Sequence, residues 1–283
     1  MSTTPETVAP RAGKREWIGL AVIALPCLLY SMDLTVLHLA VPALTRDLEP
    51  SSAQLLWIID IYGFLVAGSL ITAGTLGDRI GRRRLLLIGA GLFAIASVLA
   101  AFSRSAAMLI GTRALLGLAG ATVAPSTLSL IRNMFLDDHE RRVAVSIWVM
   151  SYSIGGAVGP LIGGVLLELF WWGSVFLMSV PVMALLLVVG PKLLPEYRDP
   201  NVRPLDLTSA ALSLLAVLSM IFGLKQIAQS GVHARRFCLF CSVSRSASSS
   251  SGVNDHWPIR SWTCSSFVSP LSARRWQPTA SRS

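Results

Sequence analysis

The sequence predicts an all-α fold, a polytopic transmembrane helix bundle, and three observations carry that prediction. Hydrophobic residues make up 53% of the 283-residue chain and charged residues only 14%, with a mean hydropathy of +0.62. That balance lies above what soluble domains of this length show. Seven apolar stretches, at residues 17–42, 55–76, 85–102, 108–130, 143–167, 171–190 and 206–224, are long enough to cross a hydrocarbon core, which takes roughly 20 helical residues. Finally, the basic residues alternate between successive connections.

The first stretch follows Arg11, Lys14 and Arg15, as the apolar region of a signal peptide would. It is too long for such a region and lacks a small-residue cleavage site, so a retained helix is expected. One set of connections carries Arg79, Arg82, Arg83 and Arg84, then Arg132, Arg141 and Arg142, then Lys192, Arg198 and Arg203; the opposite set carries only Arg46 and Arg104. Basic residues are retained on the cytoplasmic side, which predicts a cytoplasmic N-terminus at 1–16 and an outward exit of the seventh span near Lys225. The expected layout is a six-helix unit at 17–190, a cytoplasmic loop at 191–205, a seventh helix at 206–224 and a tail at 225–283.

The tail changes character abruptly. Fourteen of the last 51 residues are Ser, and from His233 onward seven Arg face one acid, Asp255, a net +6 out of the chain's +9. The membrane part is nearly balanced, so the net charge gives no reason to expect a nucleic-acid partner. A mixture of Ser, Arg, Cys and Trp without periodicity fits translation out of frame, or else a disordered tail. Cys238-x-x-Cys241 with His233, His256 and Cys264 matches no regular zinc spacing, and no metal site is expected. Cys27 stands alone in span 1, so no disulfide framework is suggested.

Four ionisable residues fall inside spans: Asp33 and His38 in span 1, Asp60 in span 2 and Arg113 in span 4. Charges at such depth are costly unless they face a cavity or a partner, which makes them functional candidates. A desolvated carboxylate can take a proton from one side, release it to the other, and attract a cationic substrate when charged. Asp33 and Asp60 are candidates for proton coupling and substrate binding. The structural alternatives are a hydrogen-bonded Asp33, an Asp60 solvated near an outer end, and an interfacial His38. Arg113 should pair with an acid or with backbone carbonyls, in a coupling role or as a tie between helices.

Two glycine-rich segments stand out. Gly77-Asp78-Arg79-Ile80-Gly81-Arg82-Arg83-Arg84 follows span 2; Gly77 and Gly81 permit close approach and a tight turn, and Asp78 can bond an arginine or a helix N-terminus. In span 5, Gly155, Gly159 and Gly163 recur every four residues and line one helix face, while Pro160 removes a helical hydrogen bond and allows a bend. Packing alone would account for such a face.

The first segment closely resembles the loop signature of the major facilitator superfamily. Asp33 to Pro42 looks like the span 1 signature of its fourteen-span drug:proton antiporters. Arg113-Ala114-Leu115-Leu116-Gly117-Leu118-Ala119-Gly120 resembles the span 4 motif whose arginine is implicated in proton transfer, with Leu116 where a glutamine often stands. Gly155 to Gly164, including Gly156 and Gly164, resembles the span 5 motif of exporters. Leu56 to Tyr62 and Trp172 to Phe176 are similar to bacterial pumps for quaternary ammonium compounds and methyl viologen.

The resemblance implies one six-helix half of a major facilitator fold, plus a seventh span and a non-family tail. It implies proton-coupled efflux of lipophilic cationic small molecules through the bacterial inner membrane, with no cofactor beyond the proton gradient and no enzymatic activity. Gly77, Asp78, Arg79, Gly81, Arg82 and Arg83 would latch the cytoplasmic side, and the Gly155 to Gly164 segment would bend during alternating access. The natural packing partner would be a second six-helix half, which this chain lacks, so transport by the chain alone is not expected. A non-transporting membrane scaffold, or a same-branch exporter of another antibiotic or dye, are the competing expectations.

Overall fold

A computed structural model describes residues 11–196 and Ser219, and among these all regular structure is helical. The helices are α1 (Lys14–Leu48), α2 (Ser52–Ile80), α3 (Arg82–Ala101), α4 (Ala106–Gly120), α5 (Val123–Met134), α6 (Asp138–Leu169), α7 (Ser174–Leu177) and α8 (Ser179–Leu193). They make six spans, because α4 with α5 and α7 with α8 each cross together. The predicted seventh helix at 206–224 and the tail at 225–283 lie outside the described residues, apart from Ser219.

Most helices overrun their apolar stretches, α1 by three residues at its start and six at its end. A hydropathy stretch marks the hydrocarbon layer, whereas backbone hydrogen bonding carries the helix on through polar ends such as Lys14 and Arg46. Span 4 is broken at Ala121 and Thr122. Pro125 has no N–H to offer the Ala121 carbonyl, so the ladder loses its bond there. Span 6 breaks at Met178 in the same way: Pro181 has no N–H to offer the Leu177 carbonyl.

Lipid supplies little apolar driving force between helices, so close packing of small residues must hold the bundle. The α1–α6 pair shows this most clearly. A Cβ at Gly155 would stand 2.2 Å from the Leu28 carbonyl oxygen, one at Gly159 2.4 Å from Thr35 Oγ1, and one at Gly163 2.5 Å from a Val36 methyl. Gly164 faces away, with nothing within 4 Å of its Cβ position. On the other side, a Cβ at Gly117 would stand 2.7 Å from the Tyr62 carbonyl oxygen, which brings α4 against α2. The core between them holds Ile23, Cys27, Leu37, Leu86, Phe93, Leu116 and Leu130, while large apolar side chains such as Ile71, Ile95, Leu161 and Val188 stay exposed on the outer surface.

One end of the bundle gathers the start of α1, the α2–α3 and α5–α6 turns and the end of α8. There the Arg15 guanidinium donates to the Lys192 carbonyl at 2.7 Å and the Ala12 amide to Glu140 at 2.7 Å. The opposite end is tied by the Trp172 indole N–H, which donates to Asp47 at 2.6 Å.

Candidate functional site: a buried ion pair and a basic turn

Arg113 points from α4 into the core with only 1% of its side chain exposed. Its Nη1 donates to Asp33 Oδ2 on α1 at 2.6 Å and its Nε to the Ile58 carbonyl on α2 at 3.3 Å. Both kinds of partner that its depth demands, an acid and a backbone carbonyl, are therefore present. The guanidinium also lies 4.6 Å from the centre of the Tyr62 ring and 5.9 Å from that of Phe176, positions in which an aromatic face attracts a cation. Asp33 retains 13% exposure. The pair thus ties three helices while leaving its carboxylate open along one edge.

The sequence brings these groups together through helical spacing. Ile58 and Tyr62 lie four apart on α2, so the carbonyl and the ring reach the same guanidinium from one face. Asp60 lies half-buried on the same helix, and His38 is exposed on α1. Tyr30 sits one turn before Asp33. Its ring is 5.9 Å from Tyr62 and 5.8 Å from Tyr152, whose own ring is 5.1 Å from Trp148. Trp148 donates its indole N–H to Thr127 Oγ1 at 2.9 Å. Sequence reasoning assigned no role to Tyr30, Tyr62, Tyr152, Trp148 or Phe176. The available signals were the three-residue spacing of Tyr30 and Asp33 and the four-residue spacing of Trp148 and Tyr152.

The basic turn forms a second cluster. Gly81, at φ +108°, joins α2 to α3 in a conformation that side chains rarely adopt. Asp78 receives Arg82 Nη2 at 2.5 Å, and a Cβ at Gly77 would stand 3.0 Å from that arginine's stem. Asp78 and Arg82 line a cleft of about 390 Å³ between α2 and α5, together with Arg132. Arg83 turns elsewhere: it donates to the Leu194 carbonyl at 3.0 Å and meets Glu196 at 3.3 Å. Arg79 is exposed. Asp78 and Arg82 therefore face a cleft, whereas Arg83 clamps the end of α8.

Within span 5, α6 runs unbroken from Asp138 to Leu169 through Pro160, which lies on its exposed side. Asp137 caps its start by accepting from the His139 and Glu140 amides. The Glu140 amide in particular holds this carboxyl below its ordinary value.

A helical bundle of six span-capable segments around a buried carboxylate–guanidinium pair defines a multi-pass membrane protein of the transporter kind. The chain belongs to the Major Facilitator Superfamily, whose profile matches residues 23–254. Membership makes it a transporter-family protein and not an enzyme. It is 50% identical over 237 residues to the multidrug efflux pump LfrA of Mycolicibacterium smegmatis, covering 84% of this chain and 47% of the pump. It is 43% identical to the methyl viologen resistance protein SmvA of Salmonella typhimurium, covering 75% of this chain and 43% of that protein. The tetracenomycin C resistance and export protein of Streptomyces glaucescens is 36% identical over 74% of this chain. Among solved structures, a peptide transporter POT in complex with sulfate superposes with a TM-score of 0.60 at 22% identity, covering 84% of this chain and 52% of that one; this likeness shows the fold. The chain spans about half the length of the curated relatives it matches.

Proposed function

We propose that this chain carries the N-terminal half of a bacterial inner-membrane exporter that exchanges lipophilic cations for protons, with its N-terminus in the cytoplasm. The observation that supports this reading most is the Asp33–Arg113 pair, because a carboxylate held by a fixed cation inside a membrane is chemically poised for exchange. A proton taken up by Asp33 removes its charge and leaves Arg113 to the Ile58 carbonyl and the two rings. A cationic drug that enters when Asp33 is charged competes with Arg113 for the same carboxylate. Proton and drug thus bind in alternation, which is the requirement of antiport. Asp60 is the further acid of this half. The roles of the relatives, multidrug efflux and resistance to methyl viologen, support a cationic cargo.

In the same reading, Asp78 and Arg82 latch the cytoplasmic side with Gly77, Arg79, Gly81 and Arg83, and Gly155, Gly159, Pro160, Gly163 and Gly164 serve the movement of span 5. The opposing wall of the cavity comes from a second six-helix half. The test joins residues 1–230 in frame to such a half and follows ethidium export under an imposed proton gradient. Asp33→Asn, which keeps size and removes titration, is expected to stop export, while Asp33→Glu keeps part of it. Export by Asp33→Asn at the unsubstituted rate would refute the role of Asp33 and leave Asp60 as the acid to examine.

A further inference from the structure

The two rings that cover Arg113 come from different spans, Tyr62 from α2 and Phe176 from α7. Each is held by contacts that fix its place. Tyr62 is fully buried, and a Cβ at Gly120 would stand 3.2 Å from its hydroxyl. That hydroxyl has no hydrogen-bond partner among the described residues, so the ring is the part of Tyr62 that is in use. Phe176 rides on the short α7, and the turn before it is pinned twice. A Cβ at Gly173 would stand 2.1 Å from the Ala101 carbonyl oxygen at the end of α3. Trp172 donates its indole N–H to Asp47 at the end of α1, and its ring meets Phe176 edge to face, 6.4 Å between centres and 88° between planes. The segment from Trp172 to Phe176 has no part in the proposed function. It ends on one ring over Arg113, as the segment from Leu56 to Tyr62 ends on the other.

We infer that Tyr62 and Phe176 are positioning residues for proton exchange at Asp33: they hold Arg113 while Asp33 is neutral, and the Asp47–Trp172 tie sets Phe176 in place for it. As the pair stands, the Asp33 carboxylate compensates the guanidinium. Once Asp33 has taken a proton, Arg113, with 1% of its side chain exposed, has no water to turn to, and an uncompensated charge at such depth is costly. The Ile58 carbonyl accepts from Nε alone. A ring face attracts the guanidinium as a whole, and more strongly when no carboxylate offsets its charge. The rings therefore favour the neutral-Asp33 state over the paired one, and proton uptake becomes easier. Around Asp33 stand Arg113 from α4, Tyr62 and the half-buried Asp60 from α2, Tyr30 from α1 itself, and Tyr152 from α6 beyond Tyr30; the charged residues of α6 lie at its two ends. This inference rests on the export reading and names the residues that keep the arginine of the pair in register through the exchange.

The test uses the full 283-residue chain in lipid nanodiscs and follows, by infrared spectroscopy across pH, the carboxylic-acid band that Asp33→Asn removes. The midpoint of that band is the pH at which Asp33 takes up its proton. Tyr62→Leu and Phe176→Leu should each move the midpoint about half a unit to one unit towards acid, as the loss of one desolvated cation–ring contact implies. Tyr62→Phe keeps the ring face, so the proton affinity should stay within about twofold. Leucine also alters packing, and fluorination separates the two effects. Trifluorophenylalanine in place of Phe176, or at position 62 in comparison with Tyr62→Phe, keeps the ring and withdraws the negative charge of its face. A midpoint moved towards acid by fluorination is expected; an unmoved one assigns the rings to packing and overturns the inference, whether the leucine variants shift, stay or misfold. Trp172→Phe, which drops the N–H to Asp47, should move the midpoint in the same direction by less, and no further when Phe176→Leu is already present. An equal shift in that background would overturn the role of the tie. If no band disappears in Asp33→Asn at any pH at which the chain stays folded, Asp33 takes up no proton and the export reading fails with the inference. A band that titrates but ignores fluorination overturns the inference alone.

Discussion

Arg113 and Asp33 are joined in a setting where either alone would be an uncompensated charge. Removing one member of a buried pair typically costs about 3–5 kcal/mol, because the other is stranded. Arg113→Leu should therefore lower the thermal midpoint of the purified chain in detergent, and adding Asp33→Asn to it should recover part of the loss. Equal midpoints for the single and double variants would show that the two groups do not depend on each other. At the start of α6, Asp137 offers a pH-dependent counterpart. Its carboxyl is held low by the Glu140 and His139 amides, so its contribution is complete above the ordinary carboxylate range and is lost as pH falls through the lowered value. Hydrogen exchange of the His139 and Glu140 amides should accelerate in Asp137→Ala at neutral pH, and that difference should vanish in strong acid.

For the helices, the α1–α6 seam is the element on which packing depends. Gly159→Leu would drive a side chain into Thr35 and Met32, and overpacking of this kind costs typically about 1–3 kcal/mol. Gly164→Leu enters open space and should leave the thermal midpoint unchanged; equal damage from both would mean that the seam is not where α6 is constrained. The periodicity of Gly155, Gly159 and Gly163 was readable from sequence, since only a helix places every fourth residue on one face. Gly164 belonged to the same run of letters but is turned off that face by the helical period, and the position of α1 shows that the Gly155 face is the packed one.

At the scale of the whole molecule, the alternation of basic connections predicts which end faces the cytoplasm. Cysteines replacing Arg84 and Arg142 should be shielded from impermeant thiol reagents in intact cells, whereas one replacing Glu49 should react. Labelling of all three from outside would reverse the orientation. On the proposed reading, a chain that spans about half the length of its relatives carries one wall of the cavity, and cells expressing this chain alone are expected to gain no resistance to quaternary ammonium biocides. A clear rise in resistance would mean that copies of the chain assemble into a working pore.

The sequence by itself determined the helical class, the six spans that are described, the cost of Arg113 at its depth and the two kinds of partner it needed. These follow from local chemistry: hydrophobic length, helical period, and the penalty on a charge away from water. Tertiary structure alone decided that Asp33, eighty residues away, is the acid that Arg113 meets, and that Tyr62 and Phe176 cover its guanidinium. It also decided that Arg83 clamps the end of α8 while Arg82, its neighbour in sequence, lines a cleft. Hydropathy and periodicity say which face of a helix is buried, but they carry no term for which other helix lies against it. That choice is made by the close approach of small-residue faces in three dimensions, where a glycine two spans away can admit or exclude a backbone.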